Sequence, residues 1–107
     1  MEIGSINPGL KALQKACGDK YEIKPIDLEW CLYRDFGNGY NVEISGMNTT
    51  RKNKKATIYL WYGSEKPDCR IVRTFHDVTR KEIPKLVDQL AEYTNRLATD
   101  EGKEETK

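Results

Sequence analysis

Seven residues, Ala56 to Tyr62 (Ala-Thr-Ile-Tyr-Leu-Trp-Tyr), limit what this chain can fold into more than any other stretch. In an extended strand, Ala56, Ile58, Leu60 and Tyr62 point one way while Thr57, Tyr59 and Trp61 point the other. A strand that is apolar on one face needs only a core. One that also carries Tyr and Trp on its second face calls for a second packing layer or a partner.

The neighbouring segments supply a sheet for that strand. Leu28, Trp30 and Leu32 alternate with Glu29, Cys31 and Tyr33, and Tyr40, Val42 and Ile44 alternate with Asn41, Glu43 and Ser45, so each segment reads as a half-buried strand. A two-residue Asn-Gly turn between them would put the two apolar sets on opposite faces. A three-residue loop, with Phe36 facing Tyr40 and Gly39 at positive φ, sets Leu32 against Ile44 and keeps one face apolar. Cys69, Ile71, Arg73 and Phe75 alternate with Arg70, Val72, Thr74 and His76 in a further strand, reached through a turn from Gly63 to Asp68 that contains Pro67. Tyr21 to Lys24 can add a short strand, which Pro25 limits to an edge or a lead-in.

Two helices flank these strands. Asn7 followed by Pro8 is a helix start, Leu10, Leu13, Ala16 and Cys17 share a face, and Gly18 stands where a left-handed cap is wanted, so a helix is predicted over Pro8 to Cys17. Thr79-x-x-Glu82 matches a capping box ahead of Ile83, Leu86, Val87, Leu90, Tyr93 and Leu97 at helical spacing. Pro84 lies five residues after that cap, so either the first turn is irregular or the helix truly begins near Pro84. Residues 99–107 form a charged tail expected to be disordered, leaving 1–98 as a single α+β domain. The expected architecture is a two-layer sandwich: an N-terminal short helix, a four-stranded antiparallel meander, and a long C-terminal helix on one face. Trp30, Leu32, Val42, Ile44, Ile58, Leu60 and Ile71 would meet the helices. Cys31, Tyr33, Tyr59, Trp61 and Val72 would occupy the outer face, ringed by Glu29, Asp35, Glu43, Lys55 and Arg70.

The 107 residues carry a net charge of +1, which gives no chain-wide attraction for nucleic acid or membrane. The charges are nonetheless segregated. Six acids face three bases between Asp19 and Glu43, and nine bases face three acids between Arg51 and Lys81. Three cysteines without paired spacing, and no apolar run long enough to span a bilayer, fit a soluble cytoplasmic protein with reduced thiols.

From element order alone, four antiparallel strands followed by a helix between Leu28 and Leu97, the chain resembles the transcriptional-coactivator family of single-strand nucleic-acid binders. The leading helix at Pro8 departs from that order, and the likeness assigns no role to any residue.

The chemistry expected is binding without catalysis. His76 and Cys31 fall on the last and first strands of the meander, too far apart for a nucleophile pair, and the scattered cysteines lack metal-ligand spacing, so no catalytic residues, metal or cofactor are expected. Tyr33, Tyr59 and Trp61 suit a protein partner, since such rings combine apolar area with a polar tip and few rotatable bonds. A non-enzymatic interaction module is therefore expected, and its small size and lack of a motif suit an accessory or inhibitory role. The alternative is single-stranded nucleic-acid binding, with bases stacked on Tyr59 and Trp61 and phosphates following Arg51, Lys52, Lys54, Lys55 and Arg70. A homodimer through the same face is a third possibility.

Overall fold

The computed structural model describes residues 4–63 and 69–105. The turn expected between Gly63 and Asp68 therefore lies largely outside the described residues. The element order is α1 (Pro8–Cys17), β1 (Glu22–Ile26), β2 (Glu29–Asp35), β3 (Tyr40–Ser45), β4 (Ala56–Tyr62), β5 (Arg70–Val78) and α2 (Ile83–Glu105). The strands form one antiparallel sheet in sequence order. It has five strands where the apolar alternation predicts a four-stranded meander, because the short Pro25 segment pairs along its full length with β2.

β1 and β2 are joined by Asp27 and Leu28, with φ of 50° and 65°. Two left-handed residues between paired Ile26 and Glu29 are what a two-residue hairpin turn requires. Leu28 is thus a turn residue, 61% exposed, and not the first apolar position of a strand. The next hairpin follows the predicted register: Leu32 pairs with Ile44, the Phe36 N–H donates to the Tyr40 carbonyl at 3.0 Å, and Gly39 has φ 94°.

Both helices lie on the same side of the sheet. Leu10 and Leu13 of α1 and Ile83, Val87 and Leu90 of α2 bury in one cluster with Leu32, Val42, Ile44, Ile58 and Leu60. Asn7 caps α1 by accepting from the Gly9 N–H at 2.8 Å. Gly18 caps the other end with φ 115° and ψ 179°, a positive φ without the left-handed helical ψ. At α2 the Glu82 carboxylate accepts from the Thr79 N–H at 3.0 Å, and the helix begins at Ile83. Pro84 falls in the first turn, where an N–H would have no partner. The apolar stripe of α2 ends at Leu97, yet the helix continues to Glu105, past Thr99, where disorder was expected. Glu and Lys are good helix formers, so propagation needs no further apolar contact there.

Arg34 is the polar tie between the layers. It sits on the helix side opposite Val42, only 11% exposed, and donates to Asp88 of α2 at 3.0 Å. Its guanidinium also lies over the rings of Tyr21 and Phe36, at 5.5 and 5.2 Å. Asn38, in the β2–β3 loop, adds hydrogen bonds to Thr94 and Asn95 of the same helix.

β5 departs from simple alternation twice. Trp61 pairs with Ile71 and Leu60 with Arg73, so Val72 is an extra residue; another enters between Phe75 and Val78, where Asp77 has φ 58°. The first bulge moves Ile71 to the outer face, 45% exposed, and not to the core side where alternation places it. The second returns Val78 to the core, 6% exposed.

A leucine at positive φ is strained and gains nothing here from burial, so Leu28→Gly is expected to stabilise the fold by about 1 kcal/mol, measured by urea unfolding at an unchanged m-value.

Candidate functional site

The face opposite the helices is built by cross-strand rows. One row runs Glu22, Tyr33, Glu43, Tyr59, Thr74; the next runs Asp35, Asn41, Trp61, Ile71. Directly opposed strand residues stand about 5 Å apart, so Glu43 is flanked by Tyr33 on one side and Tyr59 on the other. The Trp61 indole N–H reaches diagonally to the Glu43 carboxylate at 3.3 Å. Glu43 is 7% exposed, an acid buried on the side of the sheet opposite the helices.

Burial pushes the Glu43 carboxyl above its ordinary range. The hydrogen bond from Trp61 pulls the other way, and the charges of Asp27 and Glu29 push it up again. Cys31, on the same face and 1% exposed, is raised to about 12 by burial and then by Glu29, Glu43 and Asp27, so its thiol stays protonated and is no nucleophile at neutral pH. His76 lies on β5, three strand spacings from β2, or about 14 Å.

Two adjoining hollows occupy this face. One, about 460 Å³, is lined by Glu22, Lys24, Tyr33, Asp35, Asn41 and Cys69 among others; the second, about 330 Å³, by Asp27, Glu29, Ser45, Tyr59 and Ile71. Ile26, Glu43 and Trp61 line both. Asn41 is fixed by donating to the Gly63 carbonyl at 2.9 Å, and Glu29 by accepting from the Gly46 N–H at 2.6 Å. Lys24 lies over the Tyr33 ring at 4.2 Å and 4.0 Å from Glu22.

Of the residues singled out from sequence, Tyr33, Tyr59 and Trp61 come together here, all half-buried. The bases do not join them. Arg70 pairs with Tyr62 and stacks on its ring at 4.8 Å; Tyr62 in turn meets buried Tyr40 edge-on, towards the helices. Lys54 donates to the Thr49 carbonyl at 3.2 Å and lies beside Gly9 at the start of α1. Arg51, Lys52 and Lys55 are exposed in the β3–β4 connection, and none of the five bases lines either hollow. Glu43, treated from sequence as part of a polar rim, is instead the centre of the face. The register that pairs Leu32 with Ile44 already implies Tyr33 beside Glu43, so half of that arrangement could be read from the hairpin; Tyr59 required the β3–β4 register as well.

Among the described residues no helix is long and apolar enough to cross a membrane. Compared with known proteins, the chain matches no family model, no curated protein and no solved structure.

Because the folded pKa of Glu43 is raised, the native state holds that proton more tightly than the unfolded chain, and stability falls as pH rises through the window between the two values. Glu43→Gln keeps an acceptor for Trp61 and removes the charge. It is expected to be more stable than wild type above the folded pKa, with the difference closing as the pH drops below the unfolded value, in urea titrations across pH.

Proposed function

We propose that this chain is a non-enzymatic interaction module that binds another protein, in an accessory or inhibitory role, through the outer sheet face with Tyr33, Tyr59 and Trp61 as anchors. One observation carries this: three large aromatic side chains share the face that neither helix covers, over two hollows and around a buried carboxylate. Rings held by cross-strand neighbours lose little further freedom on binding, which favours them as anchors. Ile71 and, at the tip of the β1–β2 turn, Leu28 add exposed apolar surface beside the second hollow.

The sheet edges favour docking on the face over strand addition. Pro25 removes a donor from β1, and the two bulges break the hydrogen-bonding row of β5. A partner extending the sheet would meet an irregular ladder on either side.

A photo-crosslinking residue in place of Tyr59 is expected to capture one discrete protein in cells, while the same residue at Lys85, exposed on α2, captures none. Excess wild-type chain should compete the product away, and folded Trp61→Ala should compete at least about tenfold less well. A product containing nucleic acid, or only a second copy of this chain, counts against the proposal.

A further inference from the structure

The outer face has a definite charge. Among the described residues five carboxylates, Glu22, Asp27, Glu29, Asp35 and Glu43, line the two hollows, and the one base among those lining residues, Lys24, is already engaged with Glu22 and the Tyr33 ring. In a chain whose net charge is +1, this concentration of acid on one face is offset by bases held elsewhere, in the β3–β4 connection and on the helix side of β5. A docking surface of this kind repels a polyanion and attracts a basic segment.

The second hollow narrows the choice further. Its acids, Asp27, Glu29 and Glu43, stand beside the rings of Tyr59 and Trp61 and the apolar side chains of Ile26 and Ile71. Among the described residues no three acidic, histidine or cysteine side chains converge closely enough to hold a metal ion. Spread carboxylates beside aromatic faces suit a broad, flat, weakly hydrated cation with an aliphatic stem. The arginine side chain has that form: its guanidinium donates along several directions in one plane and stacks on rings, while its methylene groups lie against apolar walls.

We infer that the second hollow receives an arginine side chain from a basic segment of the partner protein, its guanidinium between Asp27 and Glu29 and against Trp61. This rests on the outer face being a protein-docking surface and specifies what docks there. Glu22 is already paired with Lys24, so in the first hollow it is Asp35 that extends the attraction along the segment, and the partner carries more than one base.

The two tryptophans provide a direct test. The Trp61 indole N–H lies in the site; the Trp30 indole donates at 2.6 Å to the Gly4 carbonyl, away from both hollows, and serves as an internal control. Titrating a six-arginine peptide into the ¹⁵N-labelled full chain is expected to shift the Trp61 indole signal saturably and leave that of Trp30 in place. Affinity should fall with added salt, and a six-lysine peptide should bind more weakly. Asp27→Asn combined with Glu29→Gln keeps the turn preference and the acceptor for Gly46, and should weaken the arginine peptide about tenfold with the Trp30 signal unmoved. The assignment is overturned if Trp61 does not respond, if the double variant binds as well as wild type, if lysine matches arginine, or if an oligothymidylate shifts Trp61 in place of the peptide. Failure here together with a protein crosslink from position 59 leaves the docking face standing and removes the arginine; failure of both removes the face.

Discussion

The apolar contact between one side of the sheet and the two helices is what the remaining architecture depends on. Leu32, Val42, Ile44, Ile58 and Leu60 are almost wholly removed from water by Leu10, Leu13, Ile83, Val87 and Leu90, and burial of such side chains is the main favourable term in folding. Because strand residues alternate, committing those positions to the helices commits Tyr33, Glu43, Tyr59 and Trp61 to the opposite side. Arg34 shows how strict the division is. It occupies a helix-side position, where its charge is supported by Asp88 and by two aromatic rings.

The outer face follows from that commitment, but its character comes from the pairing of particular strands. Glu43 is buried on this face with tyrosines as its two cross-strand neighbours and a tryptophan on the diagonal. Desolvating a carboxylate among other carboxylates is unfavourable for the isolated fold, and a cation arriving from outside would relieve it. That is the electrostatic reason the proposed partner segment is basic.

Much of this was legible in the amino-acid order. The α1 boundaries, the Leu32–Ile44 register, the late start of α2 close to Pro84 and the sharing of one face by Tyr33, Tyr59 and Trp61 all follow from capping chemistry, loop length or period-two alternation. Misplacements arose where one residue breaks the period. Alternation assigns Ile71 to the core, but the bulge at Val72 reverses it, and nothing in the residues from Cys69 to Phe75 announces a bulge. Leu28 reads as a strand residue because leucine is rare at positive φ; pairing of Ile26 with Glu29 forces it into the turn. Arg70 and Lys54, grouped from sequence with the aromatic face, lie towards the helices because the β4–β5 register sets Arg70 against Tyr62 and the β3–β4 connection folds back onto α1.

Taken alone, the order of residues determined the element types, the antiparallel sheet and the existence of a second, aromatic face, because periodicity and capping are local properties of the chain. Tertiary structure decided which charges share that face. The acids of β1, β2 and β3 meet the rings of β4 only through long-range strand pairing, and the bases of the β3–β4 connection are carried away from it by a loop whose path no local rule specifies. Local chemistry fixes what each segment can be, whereas the electrostatic sign of a surface is a sum over segments distant in sequence, and only the packed chain brings them together.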